Sequence, residues 1–270
     1  MRSQPLAIKN KLFGKEERQK TILEVYKYHN QRFEELVGKE YSIGTLKKIK
    51  TCLTSLQEFL KWKHNISDFP IKSLPHQFVT DYEFYLKSVQ NLRHNTTMGY
   101  IKKLKKIVRQ CVANDWLDKD PFMSYKIKIR DTHRTYLLED ELQLLANKNI
   151  TVERLDVVRD IFLFSGYTGL SHSDVEKLTS SAISTGIDGK KWIFTTRTKT
   201  GTLTRVPLLP PALAILDKYA KSVASINSGK LLPIIGNQRM NSYLKELADI
   251  CGIKKELTFH CSRHQSETTL

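Results

Sequence analysis

Leu257-Thr258-Phe259-His260-Cys261-Ser262-Arg263-His264 lies near the C-terminal end of this 270-residue sequence. A histidine and an arginine three residues apart share one face of a helix. An arginine so placed can fork two hydrogen bonds onto a phosphate, and a histidine beside it can move protons. The pair reads as half of a phosphate-handling site. It still needs a nucleophile, and six residues follow, the last of them Leu270.

Working back from this stretch, Gly252 ends a helix predicted over Asn237–Ile250, and Pro210-Pro211 opens another. Lys191–Thr196 and Leu203–Pro207 read as strands joined through Lys199-Thr200-Gly201, a hairpin signal. Before them, Gly166-Tyr167-Thr168-Gly169-Leu170 is a helix stop. It leads into Ser171-His172-Ser173-Asp174-Val175-Glu176-Lys177-Leu178, a short capped helix. Helical stretches are expected at about Glu139–Asn147 and Val152–Phe164.

The first half is helical by period. Ile22, Val25, Tyr26, Phe33 and Leu36 recur between Lys15 and Leu36, and Gly38 and Gly44 bracket a loop. Leu46, Ile49, Leu53, Leu56, Phe59 and Leu60 stripe a helix from about Thr45 to Lys63. A third helix starts near Pro75, a good first-turn residue. In the fourth, Asn95-Thr96-Thr97 offers a cap, and Ile101, Leu104, Ile107, Val108, Cys111 and Val112 form the apolar stripe. Its other face is read as Lys102, Lys103, Lys105, Lys106 and Arg109, with no acidic residue between them. Asp118–Arg134 has no apolar period and carries Lys126, Lys128 and Arg130, so it reads as a basic linker.

The formal charge of +16 is unevenly placed. Residues 1–134 carry 27 Lys and Arg against 14 Asp and Glu, while residues 135–270 carry 17 against 14. Such a one-sided balance attracts polyanions, and a basic helical domain without a basic, aromatic-edged amphipathic helix points to nucleic acid rather than lipid. Lys47, Lys48 and Lys50 join the fourth helix and the linker as candidate contacts to the DNA backbone. No apolar run approaches membrane-spanning length, and Met1-Arg2-Ser3-Gln4-Pro5 lacks the apolar stretch of a signal peptide. A cytoplasmic protein without membrane partners is the expectation. Cys52, Cys111, Cys251 and Cys261 have neither zinc spacing nor pairing, so no metal and no disulfide is expected.

Thr168-Gly169-Leu170-x-x-Ser173-Asp174-x-x-x-Leu178, the Lys199 hairpin and His260-x-x-Arg263-His264, in that order behind a basic helical domain, resemble the tyrosine recombinase (phage-type integrase) family. The likeness is greatest to integrases of mobile elements in Bacteroides-like bacteria. It extends back through the fourth-helix cap and the Asp120-Pro121-Phe122 exit, and so covers nearly the whole chain. The resemblance implies a mainly α fold with a small β-sheet. Its parts would be an N-terminal segment (1–14), a helical core-binding, SAM-like domain (15–118), a basic linker (119–134) and a catalytic domain (135–270).

The same resemblance implies site-specific recombination of double-stranded DNA, alongside other protomers, through a 3′-phosphotyrosyl link and without cofactor. Arg263 would clamp the nonbridging oxygens, His260 would bond the phosphate or relay protons, and Lys199 would protonate the leaving 5′-oxygen. Asp174 would orient an arginine or the histidine, and His264 would support the site. Lys190 and Lys191 are rivals to Lys199 that sit before the strand.

Three departures qualify the likeness. Ser171 stands where the family places its first catalytic arginine; it carries no charge and cannot replace a guanidinium. Members of this group tolerate other residues there, and Arg154, Arg159 or Arg197 are open as compensating arginines. Gln265, Ser266 and Glu267 replace the usual hydroxyl, aromatic and alanine residues. No tyrosine follows His260, and Tyr219 and Tyr243 sit at core spacing. The chain is therefore expected to be a truncated recombinase, incomplete at its C-terminus, that binds DNA without cutting it. A DNA-binding regulator or competitor at attachment sites is the alternative, and a type IB topoisomerase relative is less favoured.

Overall fold

Apolar residues at three- and four-residue spacing build the first part of the chain. The computed structural model describes residues 19–132 and 136–264, with His264 described by its backbone alone. The N-terminal segment, the first turns expected from Lys15, and Gln265–Glu267 lie outside the described residues. The chain divides into two units, Met1–Asp131 and Thr132–Leu270.

In the first unit, α1 spans Ile22–Glu35, α2 Ile43–His64, α3 Gln77–Ser88 and α4 His94–Ala113. Asp68 caps α1 from a distance: its carboxylate accepts from Leu23 N at 3.0 Å and from the Thr21 hydroxyl at 2.6 Å. Ser42 caps α2 by accepting from Thr45 N, so Gly44 falls inside the helix and Gly38, at φ +87°, makes the turn instead. The interior centres on Phe59, whose ring meets Phe78, Tyr82 and Tyr85. Ile101, Leu104, Ile107 and Val108 of α4 close over it, all buried.

Two expectations for this unit are corrected. Asn95-Thr96-Thr97 is not a cap but lies in the first turn of α4. Asn95 instead makes a two-way bond with Arg130, giving its amide to the carbonyl at 2.8 Å and accepting from the backbone N–H at 2.9 Å. The segment read as a linker packs on this unit. Phe122 is fully buried in its core, Tyr125 and Ile127 lie against it, and His94 Nε2 meets Lys128 O at 2.7 Å. Alternating Ile and Lys hid an extended strap: such a strap needs only every second side chain to be apolar.

In the second unit, α5 spans Glu139–Asn147, α6 Glu153–Thr168 and α7 His172–Glu176. Strands β1 (Ile183–Thr185), β2 (Lys191–Thr196) and β3 (Leu203–Pro207) form an antiparallel sheet in that order, with Ile193 opposite Val206. Helices α8 (Pro210–Tyr219), α9 (Val223–Ser228) and α10 (Asn237–Ile250) follow, then a 3₁₀ helix, Phe259–His264. The second half of α6, from Asp160 to Gly166, is buried all round, as a central helix requires. Leu155, Val158, Ile161, Phe162 and Phe164 are each fully buried, and α8, α10 and the 3₁₀ helix pack on it. Helix α6 runs through Gly166 and stops at Gly169, whose φ of +62° favours glycine. Strand β1 and helix α9 escaped the sequence reading: each is too short to show a period. The fold is mainly α with one small sheet, as expected.

Candidate functional site

Two turns, far apart in sequence, form the site in the second unit. At the first, Gly169 turns the chain out of α6 and Ser171 caps α7. The Ser171 hydroxyl accepts from Asp174 N and lies 2.7 Å from Asp174 Oδ2, to which it donates. At the second, Phe259–His264 forms a 3₁₀ helix, in which residues three apart eclipse. His260 and Arg263 thus still share a face. Asn241 of α10 holds this turn by accepting from Phe259 N at 2.7 Å, and Phe259 is buried against Phe162.

The two turns face one cleft of about 470 Å³. Ser171, His172, Ser173 and Glu176 line one side, Phe259, His260 and Arg263 the other, and Gly236 and Asn237 complete it at the start of α10. His260 is exposed and Arg263 half-buried. His172, which the sequence reading passed over, gives its Nε2 proton to Ile235 O at 2.8 Å and sets its ring edge-on to Phe259. Nothing in its local spacing marked it, because its partners come from the approach to α10 and from the 3₁₀ helix.

Asp174 ties the first turn to the hairpin. Buried, its carboxylate accepts from Thr198 N at 2.7 Å, from the Ser171 hydroxyl, and from Arg197 Nη1 at 3.3 Å. Burial alone would raise its pKa. The Thr198 N–H, the Ser171 hydroxyl and the Arg197 guanidinium outweigh burial and hold the carboxyl down at about 2. Arg197 also gives Nη1 to Gly169 O at 2.9 Å, so its guanidinium stands over the turn that carries Ser171. The hairpin closes through Arg197 N to Thr202 O and Gly201 N to Arg197 O, both 2.8 Å, with Gly201 at φ +68°. Lys199 is exposed at its tip and lies outside the lining of the cleft. Lys190 belongs to the turn between β1 and β2, at the other end of β2, and Lys191 bonds Thr185.

The other two arginines are engaged elsewhere. Arg154 grips Glu246 with two bonds of 2.8 Å and stacks on Tyr243. Arg159 pairs with Asp156 and Asp160 and bonds Lys148 O. The buried Tyr219 donates to Asp160 at 2.9 Å, and burial, then Asp160, pushes its hydroxyl pKa far up. The described side chains of the second unit thus present no activated tyrosine to the cleft.

In the first unit, Lys102, Lys106 and Arg109 are exposed on α4 and Lys47 and Lys48 on α2. Lys126, Lys128 and Arg130 are exposed on the strap. Lys105 is a correction: it is 4% exposed, and its ammonium donates to the carbonyls of Phe122 and Tyr125 at 2.5 and 2.7 Å. It pins the strap rather than facing solvent, a role invisible from charge alone. Lys103 is half-buried and gives a bond to Gly99 O. Lys50 is neutralised by Glu34 at 2.7 Å, and Arg109 has Asp120 at 3.8 Å. No described helix is long and apolar enough to cross a membrane.

Residues 21–129 match the phage integrase SAM-like domain. The described residues of both units share the fold of solved integrase structures. The chain superposes on a lambda integrase (75–356) dimer bound to a COC′ core site with a TM-score of 0.71 at 13% identity, covering 92% of this chain and 85% of that one. Against a lambda integrase tetramer bound to a Holliday junction the TM-score is 0.72 at 13% identity, with 98% and 76% covered. The integrase of the transposon Tn1549 (aa 82–397), in complex with circular intermediate DNA, gives 0.64 at 14% identity, with 91% and 85% covered. No curated protein sequence matches this chain closely enough to count as a relative.

Proposed function

We propose that this chain is a tyrosine-recombinase-type protein of a mobile element that binds double-stranded DNA at a recombination site. The single observation that carries the reading is the cleft in which Ser171, His260 and Arg263 converge. A phosphodiester there would meet the Arg263 guanidinium and the His260 imidazole, the donors a pentavalent phosphate needs. Arg197 takes the part of the missing first arginine, because of the three candidates it alone reaches the Ser171 turn. It enters from the hairpin rather than from the helix start, and Asp174 fixes its guanidinium. Lys199, two residues further on, can swing to the leaving 5′-oxygen while Thr198 N holds the hairpin's base. The exposed cations of α2, α4 and the strap would neutralise backbone phosphates.

Among the described residues no tyrosine lines the cleft, and Tyr219 and Tyr243 are engaged in other contacts. A polypeptide of this sequence is therefore expected to hold DNA without forming the phosphotyrosyl link itself. The test is a nicked duplex carrying the recombination site, incubated with the protein and resolved under denaturing conditions. A gel-shifted complex without a covalent band is expected. A covalent adduct would overturn the second half of the reading, and no complex at low salt would overturn the first.

A further inference from the structure

The two turns of the cleft meet at a buried hydroxyl pair that the functional reading leaves unused. Ser165 of α6 and Ser262 of the 3₁₀ helix are both fully buried, with their Oγ atoms 2.8 Å apart. Ser165 Oγ is also 2.6 Å from the carbonyl of Leu170, the residue before Ser171. Ser262, between His260 and Arg263, has its Oγ 2.7 Å from Phe259 O. We propose that Ser165 is a positioning residue that holds the Ser171 turn and the His260–Arg263 turn in register for a phosphate. This rests on the reading of the cleft as a phosphate site.

Counting protons supports the coupling. A hydroxyl donates once. Ser165 and Ser262 therefore have two protons for three contacts: the one between them, Leu170 O and Phe259 O. Two oxygens at 2.8 Å with no proton between them repel, so the serine–serine bond is kept. In one arrangement Ser262 donates to Ser165 and Ser165 donates to Leu170 O. In the other Ser165 donates to Ser262 and Ser262 donates to Phe259 O. Only the first arrangement chains one turn to the other through Ser165, and the 2.6 Å approach of Ser165 Oγ to Leu170 O, the shortest of the three contacts, selects it. Without the Ser165 hydroxyl, Ser262 turns wholly to Phe259 O, inside its own turn, and the Leu170–Ser171 segment loses its tie. Neither serine touches the cleft, so the effect on a phosphate passes through His260, Arg263 and the Ser171 turn.

The test uses the full chain and two readouts below its unfolding transition. Amide hydrogen exchange follows Ser171 and Asp174 in one turn and Phe259 and Cys261 in the other. Inorganic phosphate, titrated while the His260 and His172 ring protons are followed by NMR, reads the cleft. Ser165→Ala is expected to speed exchange about tenfold or more in both turns, to leave the β2–β3 amides unchanged, and to weaken phosphate at least about fivefold. Ser262→Ala removes the same bridge from the other end: it should loosen the Phe259–His264 turn and weaken phosphate while Ser165 keeps its bond to Leu170 O, and it carries the test if Ser165→Ala does not fold. The double variant should bind phosphate no more weakly than Ser165→Ala. Loosening confined to one turn in Ser165→Ala, or unchanged phosphate affinity in either folded variant, would overturn the proposal. An unsubstituted chain that binds no phosphate overturns the reading of the cleft itself, and the exchange experiment then decides the coupling alone.

Discussion

The first unit carries its interaction chemistry on its outside, and the second carries it in bonds beneath the surface. Lys47, Lys48, Lys102, Lys106 and Arg109 project from helices whose other faces form an ordinary apolar core. In the proposed reading Lys47, Lys48, Lys102 and Lys106 act as separate cations, so the loss of one should subtract one increment of binding. In the second unit the half-buried Arg263 and the Arg197 guanidinium are positioned by Asp174, Ser171, Ser165, Ser262 and Asn241, most of them buried. Losing one such bond misplaces several groups at once. The contrast separates additive grip from cooperative geometry, and it can be attacked from both sides.

The largest effect is expected where the strap enters the first core. Phe122→Ala removes a fully buried ring from a segment that has no helix of its own, and should cost the first unit about 3–5 kcal/mol in denaturant unfolding. A cost near zero would mean that the strap is a loose linker after all. Next comes Asp174→Ala, which strands Thr198 N, Ser171 Oγ and Arg197 and should cost the second unit about 2–3 kcal/mol. The same carboxyl sets a pH signature. It is held at about 2 in the fold against an ordinary 3.8, so the fold favours the charged form. Its contribution of about 2 kcal/mol is whole above about pH 4 and is lost as pH falls towards 2. The Asp174→Asn chain should lack that step in acid unfolding.

Smaller effects sharpen the line between the two kinds of lysine on α4. Lys105→Met leaves two carbonyls without their ammonium and should destabilise the first unit by about 1–3 kcal/mol, with the salt dependence of DNA binding unchanged. Lys106→Ala should do the reverse: stability nearly unchanged, with the salt slope shallower by about 0.9. Smallest is Lys50→Ala, an exposed pair with Glu34 worth under about 1 kcal/mol to stability in a double-mutant cycle.

The same contrast explains what the sequence revealed. Helices long enough to show a period were legible, and Lys191–Thr196, Leu203–Pro207 and Asn237–Ile250 appear at the expected residues. The His260–Arg263 pair and the Ser171–Asp174 box were legible because their spacing is local. Arg197 could not be chosen over Arg154 and Arg159, since only three-dimensional packing shows that those two are already paired. Lys105 looked like its neighbours because a sequence does not say which lysine on a crowded face turns inward to a carbonyl. The strap was misread because Phe122, Tyr125 and Ile127 pack into the core without a helical period.

The most direct test of the account is the affinity of the 270-residue chain for duplex DNA, measured against salt concentration beside Lys102→Ala/Lys106→Ala/Arg109→Ala. The account predicts a steep fall in affinity with salt for the unsubstituted chain, and a slope shallower by roughly 2–3 for the triple variant. Salt-independent binding, or an unchanged slope in the triple variant, would contradict it.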